Sequence, residues 1–153
     1  MTAVDAADDR RHLEGAIALA SNCTPKPTSF CVGATIVDAD GVVLATGYSG
    51  QNDPHEHAEE AALNALNDGD RARLTTATLY TSLEPCSKRA SRPVTCTEHI
   101  LRARIPRVVF ALSEPDLFVD CVGAETLRAA GVEVVQLDEL ANAAWDANRH
   151  LDH

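Results

Sequence analysis

The sequence predicts an α/β protein, a mixed five-stranded sheet with helices on both faces, and three observations lead there. Short runs rich in β-branched residues alternate with runs of helical periodicity. The turn Asp38-Ala39-Asp40-Gly41 joins the first two strand-like runs into a hairpin. A helix-like run separates the last two, which demands a right-handed crossover and so makes those strands parallel. At 153 residues and 45% hydrophobic content, residues 1–153 are expected to form a single domain around one core.

From Asp8 to Ala20, the residues Leu13, Ala16, Ile17 and Ala20 recur at helical spacing, and Pro25 and Pro27 end that first helix. Cys31 to Val37 and Val42 to Tyr48 are the hairpin strands. Ser49 to Glu56 is polar, holds Gly50 and Pro54, and reads as a loop. A second helix is expected from His57 to Asp68, with Ala61, Ala62, Ala65 and Leu66 on its inner face and Gly69 as its C-terminal cap. Thr78 to Leu83 is a third strand running into Glu84-Pro85-Cys86. Thr95-Cys96-Thr97-Glu98 has the spacing of a capping box, which puts Cys96 at the first position of a third helix that Pro106 terminates. Arg107 to Leu112 is the fourth strand, Ala124 to Ala130 a helix closed by Gly131, and Val132 to Leu137 the fifth strand. Asp138 should cap a final helix to about His150, buried through Leu140, Ala144 and Ala147.

A net charge of -10 repels polyanions unless the positive charge is concentrated in one patch, so a long nucleic acid is not an expected partner. The apolar runs, such as Val42 to Ala45 and Val108 to Leu112, fall far short of the roughly 20 residues of a membrane span. Met1 to Arg11 lacks the order of a signal peptide, and the expected location is cytoplasmic. Five cysteines in such a setting read as thiols or metal ligands rather than a disulfide framework. Cys23, Cys31 and Cys121 have no ligand-type spacing and are expected to be small, free core residues.

The chemistry concentrates in His57-Ala58-Glu59 and in Cys86 with Cys96. His57, Cys86 and Cys96 offer three ligands for Zn²⁺, and Glu59 is a carboxylate left over. Residues two apart on a helix point to nearly opposite sides, so His57 and Glu59 share a target only ahead of the helix, off its N-terminal end. Cys96 applies the same geometry from the third helix, and Cys86 from a strand end. Two thiolates weaken the metal as an acidifier of water, and two helix N-termini compensate. Glu59 is placed to take and return a proton. A closed structural zinc clip would need a fourth donor, for which His55, His99 and Cys31 could be proposed. Such a site gives Glu59 no purpose, whereas an open position is the mark of a catalytic zinc.

Lys88, Arg89 and Arg92 gather three of the thirteen basic residues in the loop between the cysteines. They read either as holding a substrate phosphate, which suits Arg geometrically, or as a solvated loop. Asn52 and Glu84 flank the site and could hydrogen-bond a heterocycle edge, or be a turn residue and a strand-end acid. Phe30 is either core or a stacking platform for the substrate.

On H-x-E followed by P-C and a second cysteine, the chain resembles the cytidine deaminase superfamily. The resemblance runs from the first helix through Val135. It implies the three-layer α/β/α cytidine deaminase-like fold, with zinc on His57, Cys86 and Cys96, and Glu59 as the proton shuttle of a hydrolysis that releases ammonia. The nine residues between Cys86 and Cys96 replace the usual two. That insertion is similar to the aminopyrimidine deaminase domain of riboflavin synthesis, in which a basic residue four positions before the second cysteine faces the substrate phosphate; Arg92 stands there. Ser82-Leu83-Glu84-Pro85-Cys86-Ser87 and Ala129-Ala130-Gly131-Val132-Glu133-Val134 resemble the same branch. Two stretches depart from it. Ser29-Phe30-Cys31-Val32-Gly33-Ala34 lacks that branch's Asn-Pro pair and is closer to free cytidine deaminases, and Ala90-Ser91 replaces a usual Gly.

The leading expectation is therefore a zinc-dependent deaminase of a small, phosphorylated aminopyrimidine or related amino-heterocycle, using water and standing alone without a reductase domain. Its alternatives are a cytidine or deoxycytidylate deaminase, a transfer-RNA adenosine deaminase, which the acidic charge opposes, and a non-catalytic zinc-bearing binding protein. The resemblance also implies a homo-oligomer, a dimer or tetramer.

Overall fold

The computed structural model describes residues 6–27, 29–86, 94–113 and 122–151. Lys88, Arg89, Arg92 and Cys121 lie outside the described residues, and so do Ala90 and Ser91.

Five strands form one sheet in the order β2-β1-β3-β4-β5. These are β1 (Gly33–Val37), β2 (Val43–Tyr48), β3 (Thr78–Leu83), β4 (Arg107–Leu112) and β5 (Glu133–Gln136). β1 is antiparallel to β2 and to β3, while β3, β4 and β5 run parallel. The parallel pairing of β4 with β5 agrees with the sequence expectation. That of β3 with β4 extends it, because α4 (Cys96–Ala103) is a crossover between them just as α5 (Gly123–Ala129) is between β4 and β5.

The central strands are covered on both faces, so their side chains divide between two cores. Ile36, Leu79 and Val108 point to one side, with Ala62 and Leu63 of α2 (Ala58–Asn64), Ile100 of α4 and Leu127 of α5. Val37, Tyr80 and Val109 point to the other, against Leu13 and Ala16 of α1 (Ala6–Ala20) and Ala144 of α6 (Ala141–Asp146). The result is the three-layer α/β/α arrangement. On the α1 side the core contains a buried ion pair. Asp9 accepts two hydrogen bonds from Arg107, at 2.8 and 2.7 Å, and a third from the Tyr80 hydroxyl at 2.6 Å.

Several expected elements differ, each for a physical reason. The second helix stops at Asn64, and Gly69 is not its cap. Gly69 lies within a separate turn, α3 (Asp68–Arg71), whose N-cap Asn67 accepts from the Asp70 amide at 2.7 Å. A side chain that bonds the backbone locally offers it an alternative to continuing the helix. The first strand begins at Gly33 rather than Cys31, because the Cys31 amide and carbonyl are bonded to the Asn148 side chain at 2.6 and 2.9 Å.

The final helix is broken rather than continuous to His150. A 3-10 turn at Asp138–Leu140 precedes α6, another at Arg149–Leu151 follows it, and Asp138 makes no side-chain cap. Leu140 and Ala144 are buried as expected, but Ala147 is only half-buried and Asn148 is fully enclosed. Asn148 is tolerated there because its amide is satisfied by Cys31.

Cys23 and Cys31 are not free thiols. The turn after α1 brings their Cα atoms to 5.5 Å and they form a disulfide, which eight residues of sequence separation with two prolines did not reveal.

Candidate active site

The site lies where β3 leaves the sheet at its C-terminal end and the first turns of α2 and α4 converge on it. Three local features build it. His57 is the N-cap of α2, in extended conformation at φ -84 and ψ 159, one residue before the helix rather than in its first turn. Thr95 caps α4, accepting from the Glu98 amide at 3.2 Å, so Cys96 is the first helical residue, as the capping-box spacing predicts. Cys86 is drawn against that same turn. Its carbonyl accepts from the Thr97 amide at 3.1 Å and hydroxyl at 3.0 Å, and its sulfur accepts from the Cys96 amide at 3.3 Å.

Two glycines permit this convergence. A Cβ on Gly47 of β2 would run into the Ala58 carbonyl, so the absence of a side chain lets the start of α2 lie directly on the sheet. A Cβ on Gly123 would run into the Pro85 carbonyl beside Cys86.

His57 Nδ1 stands 3.2 Å from Cys96 Sγ and 3.5 Å from Cys86 Sγ. Among the described residues, these three form the one cluster able to hold a metal ion, with donor atoms all within 4.8 Å of one another. Tetrahedral zinc with sulfur and nitrogen ligands needs donors about 3.5 Å apart, so the residues fit that ion. The Cys86 thiol is held well below its ordinary pKa. The hydrogen bond from Cys96 contributes most, burial opposes, and His57 adds to the lowering. That favours the thiolate a metal requires. Zinc held by these three residues would supply a Lewis acid able to make water nucleophilic near neutral pH.

Glu59 is buried, at 4% exposure. Burial first, then the negative charge of Cys86, raises its carboxyl to about 7, while His57 and Cys96 pull the other way. A carboxyl poised near neutrality both accepts and releases a proton. The donors proposed for a closed clip are elsewhere engaged. Cys31 is in the disulfide, His55 is exposed on its loop, and His99 Nε2 faces Glu60 at 3.4 Å.

The remaining sequence-predicted residues divide. Asn52 is exposed at the loop before His57, its amide donating to Glu56 at 3.0 Å. Glu84 is buried, with one carboxylate oxygen accepting from the Ala124 amide at 2.9 Å, and so caps the start of α5. Phe30 is half-buried with its ring 6.3 Å from that of Trp145. Lys88 and Arg92 lie outside the described residues.

Sequence reasoning passed over Glu56, Glu60 and Thr97, which are all buried. Glu56 organises the loop before His57, accepting from the amide and side chain of Asn52 and from Asn64. Glu60 accepts from the His57 amide at 3.1 Å. Its place three residues after His57 is capping-box spacing, a signal the sequence carried once His57 is recognised as the cap.

Fold and site define the class of protein: an α/β/α zinc domain with a buried carboxylate beside the metal ligands. Residues 6–112 match the cytidine and deoxycytidylate deaminase zinc-binding region, and the chain belongs to that family. It is 41% identical over 120 residues to a diaminohydroxyphosphoribosylamino-pyrimidine deaminase of Schizosaccharomyces pombe, covering 76% of this chain and 29% of that protein. It is 37% identical over 130 residues to the riboflavin biosynthesis protein RibD of Aquifex aeolicus, covering 82% of this chain and 34% of the relative. Among solved structures, RibD of Acinetobacter baumannii superposes with a TM-score of 0.80 at 28% identity, over 95% of this chain and 39% of that one. The chain thus spans about a third of the length of these curated relatives.

Proposed function

We propose that this chain is a zinc-dependent hydrolytic deaminase of a phosphorylated diaminopyrimidine of the riboflavin type. The observation that carries the reading is the placement of Glu59, a buried carboxylate two residues after His57 in a three-donor cluster able to hold zinc. Similarity to a diaminohydroxyphosphoribosylamino-pyrimidine deaminase and to a riboflavin biosynthesis protein supports the substrate class. Glu59 takes a proton from the attacking water and delivers it to the exocyclic nitrogen. The carbon–nitrogen bond breaks, ammonia leaves, and the ring carbon keeps the oxygen. His57, Cys86 and Cys96 hold the zinc. Arg92 and Lys88 hold the substrate phosphate, and Asn52, Phe30 and Glu84 border the ring, Glu84 from its position before Cys86.

Residues 1–153 act as one deaminase domain, and we assign the protein to the cytoplasm on the sequence of Met1 to Arg11, which lacks the order of a signal peptide. We also propose a homodimer, which light scattering tests directly; a 16.3 kDa species at working concentration would refute it.

The test of function is ammonia release by the zinc-loaded protein. Its panel holds phosphorylated and unphosphorylated ribosylaminopyrimidine, cytidine, deoxycytidylate and guanine, with Glu59→Ala as control. Turnover of the phosphorylated pyrimidine that Glu59→Ala abolishes is the expected result. Turnover of cytidine or deoxycytidylate instead would move the protein to the salvage branch. Biological function retained by Glu59→Ala would favour a zinc-bearing binding protein.

A further inference from the structure

Two buried or half-buried side chains beside the metal ligands have no part in the chemistry above. Glu60 lies three residues after His57 on α2, and His99 lies three residues after Cys96 on α4. On a helix, that spacing puts a residue on the same side as the ligand and one turn further along. The two helices therefore present Glu60 and His99 to each other just behind the donors, and the side chains meet: Glu60 Oε2 stands 3.4 Å from His99 Nε2. The other Glu60 oxygen accepts from the His57 amide at 3.1 Å. One carboxylate, with its side chain 8% exposed, thus touches the backbone of one ligand residue and the helix that carries another.

We propose that Glu60 and His99 are positioning residues that set the separation of the helices bearing His57 and Cys96, and thereby the protein's affinity for zinc. The inference rests on reading His57, Cys86 and Cys96 as the zinc site. Its physical basis is that the His57 ring and the Cys96 sulfur come from the starts of different helices, which among the described residues share no backbone hydrogen bond. A metal holds best when its donors are already spaced for it. Outer-shell partners of ligands typically change metal affinity about tenfold or more when removed. A cap alone would require just one Glu60 oxygen; the second, on His99, makes the residue a tie between helices.

The experiment measures zinc affinity by competition with a chromophoric chelator, and the visible spectrum of the cobalt-substituted protein, for wild type, Glu60→Ala, Glu60→Gln, His99→Ala and the Glu60→Ala/His99→Ala double variant. His99 is partly exposed, with its side chain at 29%, so His99→Ala keeps the test available even if Glu60→Ala fails to fold. The expected result is about a tenfold weaker affinity in each alanine variant, with an altered cobalt spectrum. The double variant should be no weaker than the weaker single, and Glu60→Gln, which retains an acceptor for the His57 amide and a partner for His99, should recover most of the loss. Normal wild-type binding with unchanged affinity in both alanine variants, or losses that simply add in the double variant, would overturn the bridge alone. A wild-type protein that takes up no zinc would overturn the zinc reading and this inference with it.

Discussion

Replacing Asp9 by Asn tests the buried ion pair that locks α1 onto the sheet. Asp9 and Arg107 side chains are 6% and 15% exposed, and the guanidinium meets the carboxylate through two parallel hydrogen bonds. The amide preserves shape and one acceptor oxygen but removes the charge, and Arg107 is left with Glu133, 63% exposed, at 2.8 Å. Removing one partner of a buried pair costs about 3–5 kcal/mol, and the remaining contact with Glu133 places this case at the lower end, about 3 kcal/mol. In a domain of this size that is a fall in Tm of roughly 6–12 °C.

The sign with pH follows from the direction of the Asp9 shift. Burial alone would raise its carboxyl, but the hydrogen bonds from Arg107 and Tyr80 and the guanidinium charge outweigh it, so the folded pKa lies below the ordinary 3.8. A depressed carboxyl contributes stability that is present above the unfolded value and lost as pH falls through the folded one. Urea unfolding of wild type and Asp9→Asn should therefore show a constant gap at neutral pH that narrows below 3.8. A gap under about 1 kcal/mol at neutral pH, the range of an exposed pair, or one that persists unchanged in acid, would refute the reasoning.

The site and its scaffold give further expectations. Glu59→Gln should lower the deamination rate about 10²–10⁴-fold, the usual contribution of a general acid–base group, while metal analysis shows the zinc content of wild type. Gly123→Ala should push the Pro85 carbonyl and with it Cys86, costing about 1–3 kcal/mol and weakening zinc retention against a chelator. Gly15→Ala, on the exposed face of α1 with nothing within 4 Å, should instead stabilise by about 0.5–1 kcal/mol; equal melting temperatures for the two variants would contradict the packing described. Reduction of Cys23–Cys31, which closes a loop of eight residues of sequence separation, should lower stability by about 2.5 kcal/mol on the chain-entropy account. Intact mass under non-reducing conditions should show two hydrogens fewer than the fully reduced chain, and a mass unchanged by reductant would refute the pairing.

Much of the fold is written in local pattern. Thr78–Leu83 and Arg107–Leu112 coincide with their observed strands, because runs rich in β-branched, aromatic and apolar residues fit a pleated, buried surface. The Thr95 cap was legible because a capping box is a chemical arrangement of four consecutive residues. His57, Glu59, Cys86 and Cys96 were legible because few other chemistries need those residue types together. Where the reading failed at the first strand and the last helix, the deciding partner was distant. Asn148 is buried because it satisfies the backbone of Cys31, more than a hundred residues away in sequence. The same contact shortens β1.

The sequence by itself determined the order of the main helices and strands, the crossover that makes β4 and β5 parallel, and the grouping of His57, Cys86, Cys96 and Glu59 as one candidate site. These follow from periodicity, capping and ligand chemistry, each readable within a few residues. Tertiary structure alone decided that Asp9 is buried on Arg107, that Cys23 meets Cys31, that Glu84 caps α5, and that Glu60 meets His99 between the two ligand-bearing helices. The physical reason is common to all four. A polar or thiol side chain carries no pattern that announces burial, and it enters the interior only where the folded chain brings it a partner.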